Sequence, residues 1–565
     1  MKLVRILSLT LALCLVLTGC QMTKTSTQNE EYVEITMPIK PEYINAQVGN
    51  EPKSLDPAFA VTSADLTYID ALFEPLVHVD ENGKISTGLA MNWSSEKDKH
   101  GAETYTITLR DAKWSDGTDI TADDYIYSFK RILDKELNSP NAYQLFPIKN
   151  AVKVYNGDLK ADKLGVSKNN DGDLVIELEG SCQDFLHRLN LPAYRAVNKS
   201  CVEKNEESWS LDIKNLVVSG SYKVETWKKG QNLLMTKNSE TYRKLSNDGV
   251  NFIFKYPADE VKEAFKTNKL DFTTEMPKEA TLIDENVIIF DNSSYSQITA
   301  TQVLEFNLNG NVTSDKNVRK AISMAIDREE LLSQMGNGYT AATGIYPSEF
   351  KYEGESYSQK LVSTKADIDG AKALLAGKEY TVGVLIDDSP AHIRMAEILS
   401  KMCREVGITL KITSQPWTQY INSVKNGDFE MIISTLFSDT VSPDAYLVNY
   451  LNNSENNYIG FKNRDYDKAI TESYGLKFVD TFEEEEKQEE QSEESKDEKK
   501  EDVVEPEEKL TNSELIKKAE KILVADEVAV APISHLTLSY MANESLSGYK
   551  INNLGAIDFT KAQKQ

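Results

Sequence analysis

Histidine and cysteine are scarce in this sequence, with five of each among 565 residues. No two histidines have the spacing of a helical zinc pair such as HExxH, and no CxxC pair is present. A GxSxG elbow, a P-loop and a GxGxxG fingerprint are also absent. Because a catalytic triad can be assembled from distant residues, these absences do not exclude an enzyme by themselves. We nevertheless expect a protein without enzymatic activity, without a cofactor and without a bound metal ion.

Basic residues are too few to balance the acidic ones, and the formal net charge is -26. Nucleic acid is therefore not an expected partner, because its phosphates are bound by clusters of Lys and Arg. The hydrophobic content of 40% and the charged content of 27% are typical of a soluble globular protein. A chain of this length exceeds the usual size of one domain, so we expect more than one hydrophobic core.

Long apolar runs are missing after residue 20, so no later segment is expected to cross a membrane. Residues 1–19 begin with Lys2 and Arg5 and continue through a short apolar run, as a secretory signal peptide does. The sequence "LTGC", which ends at Cys20, resembles the lipobox of bacterial lipoproteins, in which the cysteine becomes the lipid-modified first residue. An ordinary signal peptide with an incidental cysteine is the alternative. Residues 20–43 are mostly polar and predict a tether.

The cysteines beyond the signal peptide and Cys20 are Cys182, Cys201 and Cys403. Their odd number and wide spacing exclude a dense disulfide scaffold. A Cys182–Cys201 bridge and three buried free thiols are both compatible with the sequence.

Two helices have clear start signals. In "TADDYIYSFKRIL", Thr121 is the expected N-cap and Asp124 follows three residues later. In "SDKNVRKAISMAIDREELLSQ", an apolar stripe runs from Val318 to Ile326, and Asp327 can cap the turn that follows. Such stripes indicate helices that pack on a core.

Residues 384–413 predict a βαβ unit. The pattern is extended over 384–386, helical over 393–405 and extended again over 409–413. A βαβ unit implies an α/β lobe with parallel strands, in which ligands bind beyond the carboxyl ends of the strands.

The next predicted strand, residues 430–437, leads to Asp439 and then to a turn at Ser442–Pro443. A carboxylate at this point can cap the turn or meet a cation. Trp417 follows Pro416 at the end of a neighbouring strand. Its indole can be a core residue or the wall of a ligand site, because aromatic side chains serve both purposes.

Residues 483–508 form an acidic run with 15 acidic and 4 basic side chains. Such a run repels itself and buries nothing, so it predicts a disordered loop. A calcium buffer or a docking arm for a basic partner is the alternative. After the loop, Ser513 is the expected cap of a helix. Its predicted apolar face consists of Leu515, Ala519, Ile522 and Leu523.

Five passages, which follow one another along the chain, are distinctive together. They are "NEPKSLDPAFA" (50–60), "YTITLRDAKWSDGTDITADDYIYSFKR" (105–131), "VSGSYKVETW" (218–227), "NVRKAISMAIDREEL" (317–331) and "KKAEKILVADEVAVAPI" (517–533). In order and spacing they resemble the extracytoplasmic solute-binding proteins of the oligopeptide and dipeptide class, solute-binding family 5. These are lipoprotein components of ATP-driven peptide importers.

The resemblance implies a two-lobed α/β fold of the periplasmic-binding-protein type, with an extra domain in the first lobe and a cleft that closes about a hinge. The implied boundaries are 44–73 with 193–299 and 538–565 for lobe 1, 74–192 for the extra domain, and 300–537 for lobe 2, with a disordered acidic insertion at 480–510.

The resemblance also implies the ligand-binding residues. Asp439, four residues before Pro443, is implied to bind the α-ammonium of a peptide. Trp417 is implied to wall a side-chain pocket, and His392 to lie near the peptide's carboxyl end. Two segments are implied to pair with the peptide backbone. The first runs from Val61 to Ser63, and the second from Thr435 to Phe437.

Some positions depart from the family pattern. Ile433 is found where some relatives have an arginine for the carboxylate of a short peptide, and Leu436–Phe437 replaces a Trp-containing approach to the aspartate. Some relatives have a disulfide at the positions of Ala300 and Phe437, which cannot form here. These departures leave the preferred peptide length open.

The implied function is that of a lipid-anchored receptor that binds extended oligopeptides in the cleft between its lobes. We expect a monomer on the outer face of the cytoplasmic membrane of a Gram-positive-like bacterium. Its expected partners are the two permease subunits and the ATPases of an importer. The alternatives are a receptor of the same fold for an oligosaccharide, a nickel complex or haem, or a peptide sensor that docks through the acidic run.

Overall fold

The computed structural model describes residues 43–80, 82–99, 101–182, 184–205, 208–254, 260–274, 293–336, 339–437, 442–454, 456–474, 478 and 510–565. The α-helices within these ranges are α1 Ser63–Leu72, α2 Ala122–Ile132, α3 Ala151–Asn156, α4 Phe185–Arg188, α5 Lys199–Lys204, α6 Val261–Lys266, α7 Lys316–Ala325, α8 Arg328–Met335, α9 Ile368–Leu375, α10 Pro390–Glu405, α11 Trp417–Lys425, α12 Arg464–Ser473 and α13 Asn512–Lys521.

The strands alternate with these helices along much of the chain. They are β1 Tyr43–Gln47, β2 Val77–Val79, β3 Ile85–Thr87, β4 Ala90–Lys97, β5 Glu103–Leu109, β6 Val166–Lys168, β7 Leu174–Glu177, β8 Tyr222–Lys228, β9 Asn232–Lys237, β10 Gly249–Ile253, β11 Phe272–Thr273, β12 Ser293–Phe306, β13 Tyr339–Ala341, β14 Lys351–Tyr352, β15 Glu355–Ser356, β16 Tyr380–Asp387, β17 Ile408–Gln415, β18 Met431–Phe437, β19 Val530–Ala542, β20 Leu546–Ser547, β21 Lys550–Ile551, β22 Ile557–Asp558 and β23 Gln563–Lys564.

The largest sheet contains eleven of the described strands. Their order is β17-β16-β18-β12-β19-β11-β1-β10-β9-β8, and β13 is added to β19. β16 and β17 pair in parallel along their whole length, and α10 lies between them in the chain. The predicted βαβ unit is therefore confirmed.

β12 and β19 are the long central strands of this sheet, with 14 and 13 residues. They pair antiparallel from Ser293–Met541 to Glu305–Val530, and the register shifts on either side of the pairs made by Thr301 and Gln302. β12 also pairs with β18, while the far end of β19 pairs with β11. These two strands therefore join β16–β18 on one side to β1 and β8–β11 on the other.

Buried apolar residues form separate cores on the two sides of the central strands. One core collects residues between 44 and 272 together with 546–562, and it includes the face of a four-stranded sheet of order β4-β5-β7-β6. Two further cores lie within residues 303–533. This is the arrangement of α/β lobes that the sequence predicts, while the exact domain boundaries remain predictions.

The predicted helix starts are confirmed at two places and wrong at a third. The carboxylate of Asp124 accepts the N–H of Thr121 at 2.8 Å, and Asp327 caps α8 by accepting the N–H of Glu330 at 2.8 Å. The N-cap of α13 is Thr511, which forms a capping box with Glu514. Ser513 lies inside that helix, because the Thr-x-x-Glu pattern begins two residues earlier.

Cys182, Cys201 and Cys403 are free thiols, so the Cys182–Cys201 bridge is not formed. Cys201 and Cys403 are buried, and burial raises the pKa of the Cys403 thiol to about 12. The predicted signal peptide, Cys20, the tether up to residue 42 and the acidic run 483–508 lie outside the described residues. No helix in the described part of the chain has both the length and the apolar content needed to span a membrane.

Arg328 fixes the start of α8 to the central sheet. Its side chain is buried, Nε donates to the carbonyl of Pro532 on β19 at 2.7 Å, and Nη1 donates to the carbonyl of Ser363 at 2.9 Å. Burial lowers the pKa of this guanidinium to about 10. The cation is therefore satisfied mainly by backbone carbonyls.

Arg328→Ala is expected to lower the free energy of unfolding by about 2–4 kcal/mol, because each buried carbonyl that loses its donor costs about 1–3 kcal/mol. Urea denaturation followed by circular dichroism measures the change. The control is Arg404→Ala, which removes an exposed guanidinium from α10 and should change stability by less than about 0.5 kcal/mol. Equal effects of the two substitutions would contradict this assignment.

Candidate functional site

Strand β18 has an edge that is only partly paired. On one side all seven residues, Met431–Phe437, pair with β12. On the other side β16 pairs only with Met431 and Ile432, and the hydroxyl of Tyr420 donates to the carbonyl of Ile433 at 3.1 Å. The main chain of residues 434–437 therefore has no partner strand on that side within the described residues. The N–H and C=O groups of such an edge can pair with another extended chain.

A loop near the C-terminus brings the start of α1 close to this edge. The carbonyls of residues 553–554 accept hydrogen bonds from the backbone N–H of Thr299 at 2.8 Å and from the hydroxyl of Ser63 at 2.6 Å. Thr299 lies on β12 beside Ala300, and Ala300 is the residue opposite Phe437. The two segments predicted to pair with a peptide are therefore both linked to the same stretch of β12, one through residues 553–554 and the other by strand pairing.

Val61 and Ser63 contribute differently to this region. The side chain of Val61 is 58% exposed, and the backbone at the neighbouring Thr62 is extended, with φ -102° and ψ 159°. Ser63 is the first residue of α1, and its hydroxyl is already bonded to the carbonyl of Leu554. The N–H of Val61 already donates to the carboxylate of Asp65 at 3.3 Å. Val61 can therefore offer its carbonyl to an added chain, whereas Ser63 supports the local structure.

His392 belongs to a polar chain that reaches the central strands. Its Nδ1 lies 2.9 Å from Oδ2 of Asp387, and its Nε2 lies 3.4 Å from the side-chain nitrogen of Gln302. The amide oxygen of Gln302 accepts the hydroxyl of Ser534 at 2.9 Å. These contacts fit an imidazole that is protonated on Nδ1 and accepts at Nε2. Gln302 is opposite Thr435 in the β12–β18 register, so His392 lies beside the candidate edge.

The carboxylate of Asp387 holds the ring of His392 in this orientation. Burial raises the pKa of Asp387, but hydrogen bonds from Ser389 and the contact with His392 outweigh burial, so the pKa lies below its ordinary value. Asp387 is therefore ionised at neutral pH and fixes the Nδ1–H tautomer of the imidazole.

Trp417 is exposed, so of its two predicted roles the core position is wrong. It begins α11, two residues after the end of β17, where Gln415 pairs with Asp387. Its side chain is 61% exposed, and its ring stacks on Tyr420 with centroids 5.7 Å apart. A large indole held open to solvent at the carboxyl end of parallel strands is free to contact a ligand.

Ile433 does not face the candidate site. Its side chain is fully buried in the core beneath β16 and β18, and Leu436 is buried as well, whereas Phe437 is 51% exposed. Ile433 shares a strand face with exposed Thr435 and Phe437, but the core covers this face over the first residues of β18. Its correspondence with the arginine of some relatives stays a prediction.

The structure leaves two of the predicted functional residues untested. Asp439, two residues after the end of β18, and Cys20 both lie outside the described residues.

Sequence reasoning missed the polar residues of the central strands. Buried Gln302, Ser534 and His535 cluster there, and Nδ1 of His535 lies 2.9 Å from the hydroxyl of Thr301. Burial lowers the pKa of His535 to about 4, so this imidazole is neutral near pH 7. The available signal was the presence of Gln and His inside the otherwise strand-like "TATQVLEF" and "APISHLTL".

Comparison with known proteins identifies the family. The family model "Bacterial extracellular solute-binding proteins, family 5 Middle" matches residues 84–458, well over half of the chain. The chain belongs to this family. Family 5 members are binding proteins, so this protein is a receptor rather than an enzyme.

Individual relatives match this chain over nearly its whole length. The dipeptide-binding protein DppE of Bacillus subtilis is 24% identical, with 99% of this chain and 98% of DppE covered. The periplasmic murein peptide-binding protein MppA of Escherichia coli is 28% identical, with 90% of each chain covered. The solved unliganded open form of MppA superposes with a TM-score of 0.72 at 26% identity and covers 93% of this chain and 98% of its own. The two-lobed fold is thereby confirmed.

A disulfide tests the register beside the site. Opposed residues of antiparallel strands have Cα atoms about 4.5–5.5 Å apart, within the range of a disulfide. The variant A300C/F437C should therefore oxidise to a bridge, which thiol titration detects as two fewer free thiols than in its reduced form. In the control A300C/L436C, position 436 is opposite Thr301 and points to the other face, so no bridge should form. A bridge in the control alone would show that the register is shifted.

Proposed function

We propose that this family 5 protein is an extracytoplasmic receptor for extended oligopeptides. The observation that carries the proposal is the unpaired edge of β18 at residues 434–437, on the side away from β12. The segment 61–63 is linked to the same stretch of β12 through residues 553–554. A peptide added to this edge gains main-chain hydrogen bonds that do not depend on its side chains. The similarity to DppE, a dipeptide-binding protein, and to MppA, a murein peptide-binding protein, supports the same class of ligand.

In this proposal Asp439 binds the α-ammonium of the peptide. The support is its position in the chain, because it follows the candidate edge by two residues. An ammonium and a carboxylate in a cleft that excludes water form a strong ion pair, and removal of one partner typically costs about 3–5 kcal/mol. Trp417, with its exposed indole, supplies an apolar surface for a peptide side chain.

The same proposal extends to the surroundings of the receptor. Lipidation of Cys20 would anchor a monomer to the outer face of the cytoplasmic membrane of a Gram-positive-like bacterium. There it would deliver peptides to two permease subunits driven by ATPases. The support is the lipobox-like "LTGC" and the family to which the chain belongs.

The direct test is to identify what the protein binds. The chain without residues 1–20 is purified without denaturation, and the small molecules released by acid are analysed by mass spectrometry. Peptides are expected, and calorimetry with a synthetic copy should give saturable binding after the natural ligand has been removed. Release of an oligosaccharide, a nickel complex or haem in place of peptides would overturn the proposal.

Asp439→Asn should weaken binding of a peptide with a free N-terminus by at least about 100-fold, in line with the ion-pair cost given above. An N-acetylated copy of the same peptide should bind the unaltered protein weakly and should be insensitive to the substitution. Isothermal titration calorimetry measures all four combinations. The control is Asp465→Asn, which removes one exposed carboxylate from α12. Equal losses for both peptides would refute contact with the ammonium.

Trp417→Ala should weaken binding of peptides with a large apolar side chain by about 10-fold and leave all-glycine peptides nearly unaffected. The physical reason is that burial of an aromatic surface is worth roughly 25 cal/mol per Å². The melting temperature should not fall, because the indole is exposed in the free protein. The matched control is Phe59→Ala, which removes another partly exposed aromatic ring. A fall in the melting temperature without a change in affinity would show a purely structural role.

A further inference from the structure

A second cavity lies away from the β18 edge, where the end of α1 meets the β2–β3 hairpin, β10 and the β21–β22 hairpin. Its volume is about 420 Å³, within the range of small-molecule sites. None of the predicted peptide-binding residues that the structure describes lines it. Ser63 at the start of α1 and Asp70 near its end are seven residues apart, which is about 10 Å along a helix.

The floor of this cavity is apolar. Val250 and Phe252 of β10 and Ile557 and Phe559 near the C-terminus line it, and all four are buried. The rings of Phe252 and Phe559 contact each other edge to face, with centroids 6.1 Å apart. Such a floor offers an apolar surface to a ligand side chain.

One wall carries a guanidinium with an unused donor. Arg195 is 2% exposed, and its Nη2 donates to Oδ1 of Asp70 at 2.6 Å and to the carbonyl of Asn190 at 2.9 Å. Its Nε has no hydrogen-bond partner among the described residues. Nε and Nη2 share one edge of the planar guanidinium fork, and both partners of Nη2 line the cavity. Arg195 itself lines the cavity, so the edge that carries the unused N–H lies in the cavity wall, where the Nε atom is enclosed.

The neighbouring carboxylate has an unused acceptor. Asp70 binds Arg195 through Oδ1, and its side chain is 31% exposed. Its Oδ2 makes no hydrogen bond within the described part of the chain. A donor and an acceptor are thus available side by side on one ion pair.

Two other charged side chains that line the cavity are paired. Arg243 donates to Oδ2 of Asp558 at 3.2 Å, and Nε2 of His78 lies 2.7 Å from Glu74. Asp80, Lys550 and Lys561 line the cavity as well, so side chains of both signs surround a ligand there. A ligand with one positive and one negative group close together can interact with both signs in this partly buried site.

We propose that this cavity binds a free α-amino acid with an apolar side chain, in its zwitterionic form. The carboxylate accepts the Nε–H of Arg195, the ammonium donates to Oδ2 of Asp70, and the side chain lies on Phe252 and Phe559. The two charged groups of an α-amino acid are attached to one carbon, and they match the adjacent donor and acceptor of the Arg195–Asp70 pair. The site is separate from the proposed peptide site and does not depend on it.

The probe is 4-fluoro-phenylalanine, observed by ¹⁹F NMR with the chain that lacks residues 1–20. Saturable binding below about 1 mM is expected, and it should persist in Asp439→Asn. The analogues 3-(4-fluorophenyl)propionate and 2-(4-fluorophenyl)ethylamine each lack one charged group and should bind at least 10-fold more weakly. Absence of binding, or equal binding of an analogue, would overturn the proposal.

Two variants locate the binding. Asp70→Asn removes the negative charge that the ammonium meets and should weaken binding at least 10-fold. Ala71→Phe adds a ring to the cavity wall and leaves the ion pairs unaltered, so it should abolish binding while the protein stays folded by circular dichroism. The control Asp134→Asn removes an exposed carboxylate elsewhere and should have no effect. Binding that survives Ala71→Phe but is lost in Asp439→Asn would assign the probe to the peptide site instead.

Discussion

The pairing of β12 with β19 is the interaction on which the rest of this structure depends. These strands are the only connection within the largest described sheet between β16–β18 and the group formed by β1 and β8–β11. Helices pack on both groups, and the separate cores form around them. Loss of this pairing would leave two smaller sheets without a common edge. Arg328 strengthens it from one side, because it ties α8 to the carbonyl of Pro532.

The candidate site uses the same strands as its support. Gln302 and Ser534 lie on β12 and β19, and they hold His392 through a chain of hydrogen bonds that ends at Asp387. The side chains of Gln302, Ser534, His392 and Asp387 each have a hydrogen-bond partner, which avoids the desolvation cost of an isolated polar group. The open edge of β18 is then fixed relative to both groups of strands. A receptor that binds main chain needs such a rigid edge, since its hydrogen bonds have strict geometry.

The sequence predicts local structure well where the signal is short-range. The caps at Thr121 and Asp327 and the βαβ unit depend on residues a few positions apart, and the structure contains all of them. The cap at Ser513 is wrong because a stronger pattern, Thr511 with Glu514, lies two residues away. The burial of Ile433 could not be predicted, because it shares a strand face with exposed Thr435 and Phe437 and only the start of that face is covered by the core. The contact of His392 with Gln302 joins residues 90 positions apart and has no signature in a linear sequence, whereas its contact with Asp387 spans only five positions.

The register shifts in β12 and β19 give the molecule a natural axis. Two paired strands resist stretching but twist and bend readily where their ladder is irregular, and these shifts are next to Thr301 and Gln302. A rotation of one lobe about this point would move nearby atoms little and distant atoms more. Strand β18 pairs with these same residues of β12 on the side opposite its open edge. The distances that a bound main chain spans at that edge would therefore vary least with lobe angle. Surfaces farther from the axis, such as the one around Trp417, would move most when the lobe angle changes. Their contacts with the side chains of a bound ligand would therefore depend most strongly on that angle.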